Sequence, residues 1–202
     1  MNYDQLADDL ADQGFSVIDQ FLNAAEVDEL VQLDEFQNGL LHMRKAGIGQ
    51  QTDFRINEAI RGDYIHWIDP SNTVPPVRKY LDRLHDMMRF VNRSLFLSLK
   101  DVEVHMTVYP AGAYYKRHLD QFKAGDHRKL SVICYLNKNW TDDLGGQLRM
   151  YLKRGITDIN PDAGKLVCFR SDLIEHEVIP SKKERLSLTG WMLDQQADLK
   201  HL

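Results

Sequence analysis

Residues 115–120 read YKRHLD, which sets His118 and Asp120 two positions apart. On an extended strand, positions i and i+2 share a face, about 6.6–6.8 Å apart. Imidazole and carboxylate would then converge. A second histidine, His176, follows 58 residues later in the strand-like segment LIEHEVI. Two imidazoles and one carboxylate on a common face hold iron(II) and leave coordination positions open. His-x-Asp by itself is an ordinary spacing, equally a surface strand pair, and only the second histidine turns it into a candidate site. Nine residues after His176, Arg185 opens the segment RLSLTGWML. Alternation puts Arg185, Ser187, Thr189 and Trp191 on one face of that strand, with Leu186, Leu188 and Met192 on the other. A polar inner face suits a pocket for an anion, and a guanidinium offers a fork of donors matched to a carboxylate. Pro180–Lys183 reads as a turn, so the strands carrying His176 and Arg185 can be hairpin neighbours.

These residues need a scaffold of strands. From Lys100 onward, strand-like segments fall at 102–109, 114–120, 130–136, 147–152, 165–170, 174–179 and 185–193. Turn residues separate them, among them Pro110, Gly112, Gly125, Gly145-Gly146, Gly155, Gly164 and Pro180. Short strands at regular spacing indicate a sandwich or barrel. The first hundred residues differ. A helix is expected over 3–13, closed by Gly14, then a short strand at 15–19. A second helix starts at the capping box Asn23/Glu26. Gly39, Gly47, Gly49 and Gly62 break the pattern over 39–63, which reads as a long mobile segment. A brief strand with Trp67 follows at 64–68. Pro75-Pro76 opens a long helix to about Leu97, with Val77, Leu81, Leu84, Met88 and Val91 along one side.

The chain has 202 residues, 43% of them hydrophobic and 27% charged, enough to build one core. A net charge of −5 counts against nucleic acid as the partner. No run of about 18 apolar residues exists to span a membrane. The acidic N-terminus lacks the basic-then-apolar plan of a secretory leader, so a cytoplasmic location is expected. Cys134 and Cys168 sit in the apolar runs SVICYL and KLVCF and read as reduced core residues.

From about Ile60 to Asp194 the chain resembles the Fe(II)- and 2-oxoglutarate-dependent dioxygenases, and within them the prolyl 4-hydroxylases related to the hypoxia-inducible-factor prolyl hydroxylases. IRGDYIHWI, VYPAGAYYKRHLD, CYLNKNW, GGQLRMY, KLVCFRSD, HEVIP and RLSLTGW carry the resemblance, in the family's order and nearly at its spacing. The resemblance implies an α+β fold: a double-stranded β-helix, or jelly roll, over 100–194, N-terminal helices of 1–99 packed on one sheet, and a short tail at 195–202, all one domain. It implies iron(II) on His118, Asp120 and His176, with no catalytic side chain beyond that metal site. 2-Oxoglutarate would lie against Arg185, Tyr135, Tyr109 and Thr189. Tyr115, Trp191 and His105 would line the pocket. Arg128, Trp67, Asp63 and Arg61 would meet the substrate, and the segment before Asp63 would fold over it. The implied reaction consumes molecular oxygen, with ascorbate as an auxiliary, converts 2-oxoglutarate to succinate and carbon dioxide, and hydroxylates proline in a protein. Bacterial relatives of this form resemble enzymes acting on translation elongation factor Tu.

Other readings differ in class. Nucleic-acid demethylases of the superfamily carry a second arginine six residues after the first, where this chain has Trp191. Hydroxylation of another residue or a free small molecule, and a non-catalytic binding module on the same scaffold, are the alternatives. A hydrolytic zinc site would lack an adjacent general base. The remaining histidines, 42, 66, 85, 127 and 201, are expected to be structural or exposed. Glu175 and Glu177 should face away from His176.

Overall fold

The structure, a computed structural model, describes residues 3–47, 60–121 and 127–197. Helix α1 (Asp4–Asp12) buries Leu6, Ala7 and Leu10, one stripe at helical spacing. It ends where Gly14 takes a φ of +82° and donates its amide to the Asp9 carbonyl. Strand β1 (Phe15–Ile18) follows. Helix α2 (Ala24–Val31) starts on the expected box: Asn23 accepts from the Glu26 amide, and the Glu26 carboxylate accepts from the Asn23 amide. The glycine-broken stretch is not featureless. After α3 (Asp34–Gln37) it holds α4 (Gly39–His42) and the two-residue strand β2 (Arg44–Lys45). The rest of the expected mobile segment, 48–59 with Gly49, lies outside the described residues, as do Gly125 and His201. Strand β3 (Tyr64–Trp67) leads into α5 (Pro75–Leu95), which buries Val77, Tyr80, Leu81, Leu84, Met87, Met88 and Val91. The helix stops two residues short of Leu97, where Phe96 enters the left-handed region and the Asn92 side chain bonds both the amide and the carbonyl of Leu99.

The remaining strands are β4 (Asp101–Tyr109), β5 (Tyr115–His118), β6 (Arg128–Tyr135), β7 (Leu148–Leu152), β8 (Gly155–Ile159), β9 (Leu166–Arg170), β10 (Glu175–Val178) and β11 (Arg185–Leu193). They form a seven-stranded sheet in the order β1-β9-β6-β11-β4-β3-β2 and a four-stranded sheet in the order β5-β10-β7-β8. All the paired strands run antiparallel. This is the jelly-roll arrangement, with α1, α2 and α5 covering one face of the large sheet.

The large sheet is covered on both faces, which explains the near-continuous apolar runs of β6 and β9. Val132, Cys134, Leu136, Leu166 and Cys168 pack toward the helices, while Ile133, Tyr135, Val167 and Phe169 pack with Leu148, Met150 and Ile159 of the small sheet. Both cysteines are free and buried.

Two expectations need correction. The strands of His176 and Arg185 are not hairpin neighbours. β10 pairs with β5 and β7, whereas both edges of β11 are taken by β4 and β6. The Pro180–Lys183 segment instead carries the chain between sheets, held by the Gly146 amide on the Pro180 carbonyl and the Lys182 amide on that of Leu144. Strand β5 also ends at His118, so Asp120 lies in a bend rather than on the strand. β8 had no counterpart in the sequence reading, because GITDI follows a charged turn and leaves its first residues exposed.

Candidate active site

His118, Asp120 and His176 place their ligand atoms within 4.8 Å of one another. Cross-strand register sets the two histidines: His176 of β10 lies opposite His118 of β5, with ring centroids 4.3 Å apart. Asp120 reaches them from the bend, with Oδ1 3.4 Å from His118 Nε2 and Oδ2 3.7 Å from His176 Nε2. Three cis donors with bonds of about 2.1 Å would sit roughly 3 Å apart, so the cluster fits one ion after a small contraction. The other ring nitrogens are fixed: Nδ1 of His118 donates to the Lys116 carbonyl at 2.7 Å, and Nδ1 of His176 to that of Ile174 at 3.1 Å. A carbonyl can only accept, so Nδ1 carries a proton in each ring and Nε2, turned to the Asp120 carboxylate, is the atom left to bind an ion. Tyr115 stacks on His118 at 3.6 Å and Phe169 meets His176 edge-on at 4.7 Å. Burial brings His176 down to about 4, against the pull of Asp120. Burial alone would raise Asp120, but both imidazoles and the Ser131 hydroxyl hold it well below the usual carboxylate range.

Arg185 lies in the same cavity as the cluster and is 1% exposed. Its guanidinium sits 4.9 Å from the Tyr135 ring centroid and 5.2 Å from that of Tyr109, its register neighbour on β4. Nε donates to the Gly146 carbonyl at 2.9 Å, yet Nη2 and the Tyr135 hydroxyl are buried without a partner. Two orphaned donors around a buried cation would be costly unless an anion meets them. No acidic group neutralises Arg185 among the described residues. Burial raises the Tyr135 hydroxyl to about 12, with Arg185 opposing, so it is a donor at neutral pH. Thr189 lines the cavity farther along β11. Its hydroxyl lies 3.4 Å from that of Thr107 and 3.3 Å from that of Ser187, in a row beside His105 rather than beside the guanidinium.

Farther from Arg185 along the same sheet, the lining is aromatic and charged. Register aligns Trp67, His105, Thr189 and Ile133 across four strands. Trp67 meets His105 edge-on at 4.9 Å, and Trp191 lies 5.5 Å from His105. Burial lowers His105 to about 3, Nδ1 is 2.8 Å from the Thr107 hydroxyl, and Nε2 is buried without a partner. Arg128 stacks on Trp191 at 3.5 Å while bonding Glu103 at 2.7 Å. Arg61 grips the buried Asp63 carboxylate through Nε and Nη2 at 2.6 and 2.8 Å, 4.7 Å from the Tyr115 ring. Every site residue named from the sequence except Tyr135 and Trp67 lines this one cavity, and those two pack directly against residues that do. Glu175 and Glu177 face outward as expected, onto Arg117 and the Tyr151 hydroxyl.

Ser131, Ser171, Thr107 and Gly146 also belong to the site, though their residue types alone did not mark them. Ser131, Ile133 and Tyr135 share strand parity, so Ser131 was findable as an inward polar residue. Gly146 acts through its carbonyl, which no residue type announces.

Residues 104–193 match the family described as the 2OG-Fe(II) oxygenase superfamily. The chain is 40% identical to a Pseudomonas putida prolyl-4-hydroxylase of known structure, with a TM-score of 0.85, covering 95% of this chain and 98% of that one. It is 30% identical to a Trichoplax adhaerens prolyl hydroxylase solved with a hypoxia-inducible-factor peptide fragment, with a TM-score of 0.81 and coverage of 93% and 87%. It is also 30% identical, over 90% of its length, to the hypoxia-inducible factor prolyl hydroxylase of Caenorhabditis elegans, of which it spans 27%.

Proposed function

Because the chain belongs to the 2OG-Fe(II) oxygenase superfamily, in its prolyl hydroxylase branch, we propose that it is a peptidyl-prolyl 4-hydroxylase acting on a protein. One observation carries this reading. A His-Asp-His cluster shares a cavity with a buried arginine, and the guanidinium Nη2 and the hydroxyl of the adjoining Tyr135 both lack partners.

The donor set fits iron(II), with nitrogen and carboxylate ligands on one face. His118, Asp120 and His176 would hold it, and there it supplies oxygen activation coupled to oxidative decarboxylation of 2-oxoglutarate. The chain's own groups orient and exclude. Arg185 Nη2 and the Tyr135 hydroxyl meet the far carboxylate of the 2-oxo acid, so that it enters in one sense only. Tyr109, buried beside the guanidinium, seals that end from water. Trp67, Trp191 and Arg128 form the apolar and cationic wall for a prolyl peptide, and the Arg61–Asp63 pair braces Tyr115 at the mouth.

Translation elongation factor Tu is the substrate to examine first, on the resemblance to bacterial enzymes of this size. The setting would be cytoplasmic, and no helix among the described residues is long and apolar enough to cross a membrane. The test incubates a bacterial lysate with the protein, iron(II), 2-oxoglutarate and ascorbate, beside an Asp120→Ala control. A single oxygen gained on a specific proline, absent from the control, is the expected result. Succinate formation with no modified proline would overturn the prolyl reading and direct attention to small molecules.

A further inference from the structure

Asp120 is the one member of the metal cluster that no strand holds. Its placement must come from side chains and from the stitching of its bend. The Ser131 hydroxyl, on β6, donates to Oδ2 at 2.6 Å. Because an ionised carboxylate only accepts, that bond uses the single proton of Ser131. The Ser171 hydroxyl, 2.9 Å away, must therefore be the donor to Ser131. Both serines are fully buried. The backbone of Ser171 ties the same knot: its carbonyl accepts from the Gln121 amide at 3.2 Å, and its amide donates to Lys129 at 3.1 Å. Three segments thus meet behind the ligand: the bend, the start of β6 and the end of β9.

Ser131 is a side-chain donor to the carboxylate that is fixed by the fold itself, on a buried strand and 2.6 Å from Oδ2. Its bond engages Oδ2 and leaves Oδ1, the oxygen nearer His118, turned toward the centre. We propose that the Ser171–Ser131 hydroxyl pair is a positioning device for Asp120, orienting the carboxylate so that it offers the metal one oxygen and keeps the remaining positions open. This inference rests on the oxygenase reading above. It adds two residues that the metal itself would not touch.

The test uses cobalt(II) as a spectroscopic probe on the purified, metal-free protein, together with the thermal midpoint of each metal-free variant. Ser131→Ala should weaken cobalt binding about 10- to 100-fold, as loss of a group that orients a ligand does. The visible absorption bands should change in position and intensity, because an unheld carboxylate alters the coordination. Ser131→Thr, which keeps the hydroxyl, should return both affinity and spectrum close to wild type. Ser171→Ala should weaken binding in the same direction by roughly threefold, since it removes only the polarising partner. An unchanged affinity and spectrum in Ser131→Ala would overturn the proposal. So would a loss that Ser131→Thr does not restore, which would assign the residue to packing. Failure of the wild-type protein to bind cobalt or iron would instead count against the oxygenase reading.

Discussion

His118 and His176 sit directly opposite each other on β5 and β10, and Arg185 stands on the facing sheet, opposite Tyr109. The two histidines thus come from the small sheet and the anion end from the large one, while Asp120 lies between them in a bend held by Ser131 of the large sheet.

Arg185→Lys retains the charge but loses the fork. It should raise the KM for 2-oxoglutarate at least tenfold and change cobalt affinity little. Tyr135→Phe should raise that KM by a smaller factor, about fivefold, since one neutral hydrogen bond is removed. Steady-state kinetics with varied 2-oxoglutarate, beside a cobalt titration, separate the two effects.

Gly146→Ala should harm the same end of the site from outside it. The glycine has a φ of +73°, and a Cβ there would lie 2.8 Å from the Trp140 ring and 3.0 Å from Ser181 Cβ. Strain and crowding together should lower stability by about 1–3 kcal/mol. The displaced Gly146 carbonyl should also loosen Arg185, giving a higher KM for 2-oxoglutarate in whatever protein remains folded. Chemical denaturation and kinetics read the two consequences independently.

Glu26 joins α2 to α5. Its carboxylate meets Arg83 at 2.6 Å and Lys79 at 3.0 Å, and the Arg83 bond is the main reason its pKa falls from 4.5 to about 2. A depressed carboxylate stabilises the fold fully above its unfolded value and loses that contribution as pH falls through the folded one. Glu26→Gln should therefore cost on the order of 2–3 kcal/mol at pH 7. The gap to wild type should close between pH 4.5 and about 2. Urea melts at pH 7 and pH 3 measure it.

His105 should remain neutral throughout the working range of the protein. Burial lowers it to about 3 from an ordinary 6.5. The unfolded chain therefore takes up a proton below pH 6.5 that the folded chain refuses, and stability falls with acidification through that window. His105→Met, of similar volume and without a titrating group, should flatten the acid limb of the stability profile. Nitrogen-15 NMR of the wild type should show one protonated ring nitrogen at this residue from pH 8 down to pH 5.

Much of this site was legible because strands alternate. Arg185, Thr189 and Trp191 turned inward together, and Glu175 and Glu177 turned outward, as period-two patterning requires. Helix α2 was legible because its box is local: Asn23 and Glu26 need only each other. What alternation could not convey was which sheet a strand joins. β10 and β11 are separated by a turn of ordinary hairpin length, yet tertiary pairing sends them to opposite sheets. His-x-Asp has the period of a strand, whereas the placement of Asp120 depends on Ser131 and Ser171, residues 11 and 51 positions away. Gly146 was illegible for a related reason, since the group that matters there is a backbone carbonyl.

The large sheet is also a chemical partition. Its helix-facing side holds both thiols, Cys134 and Cys168, fully buried, while the metal cluster lies toward the other sheet. Burial raises both thiols, Cys168 to about 12, so neither offers a thiolate to an oxidant at neutral pH. The backbone of the large sheet therefore stands between the metal cluster and both sulfurs. The same placement turns the two cysteines into an internal clock, since an alkylating reagent can reach them only when the sheet and the helices come apart, and its rate of uptake counts global openings of the fold.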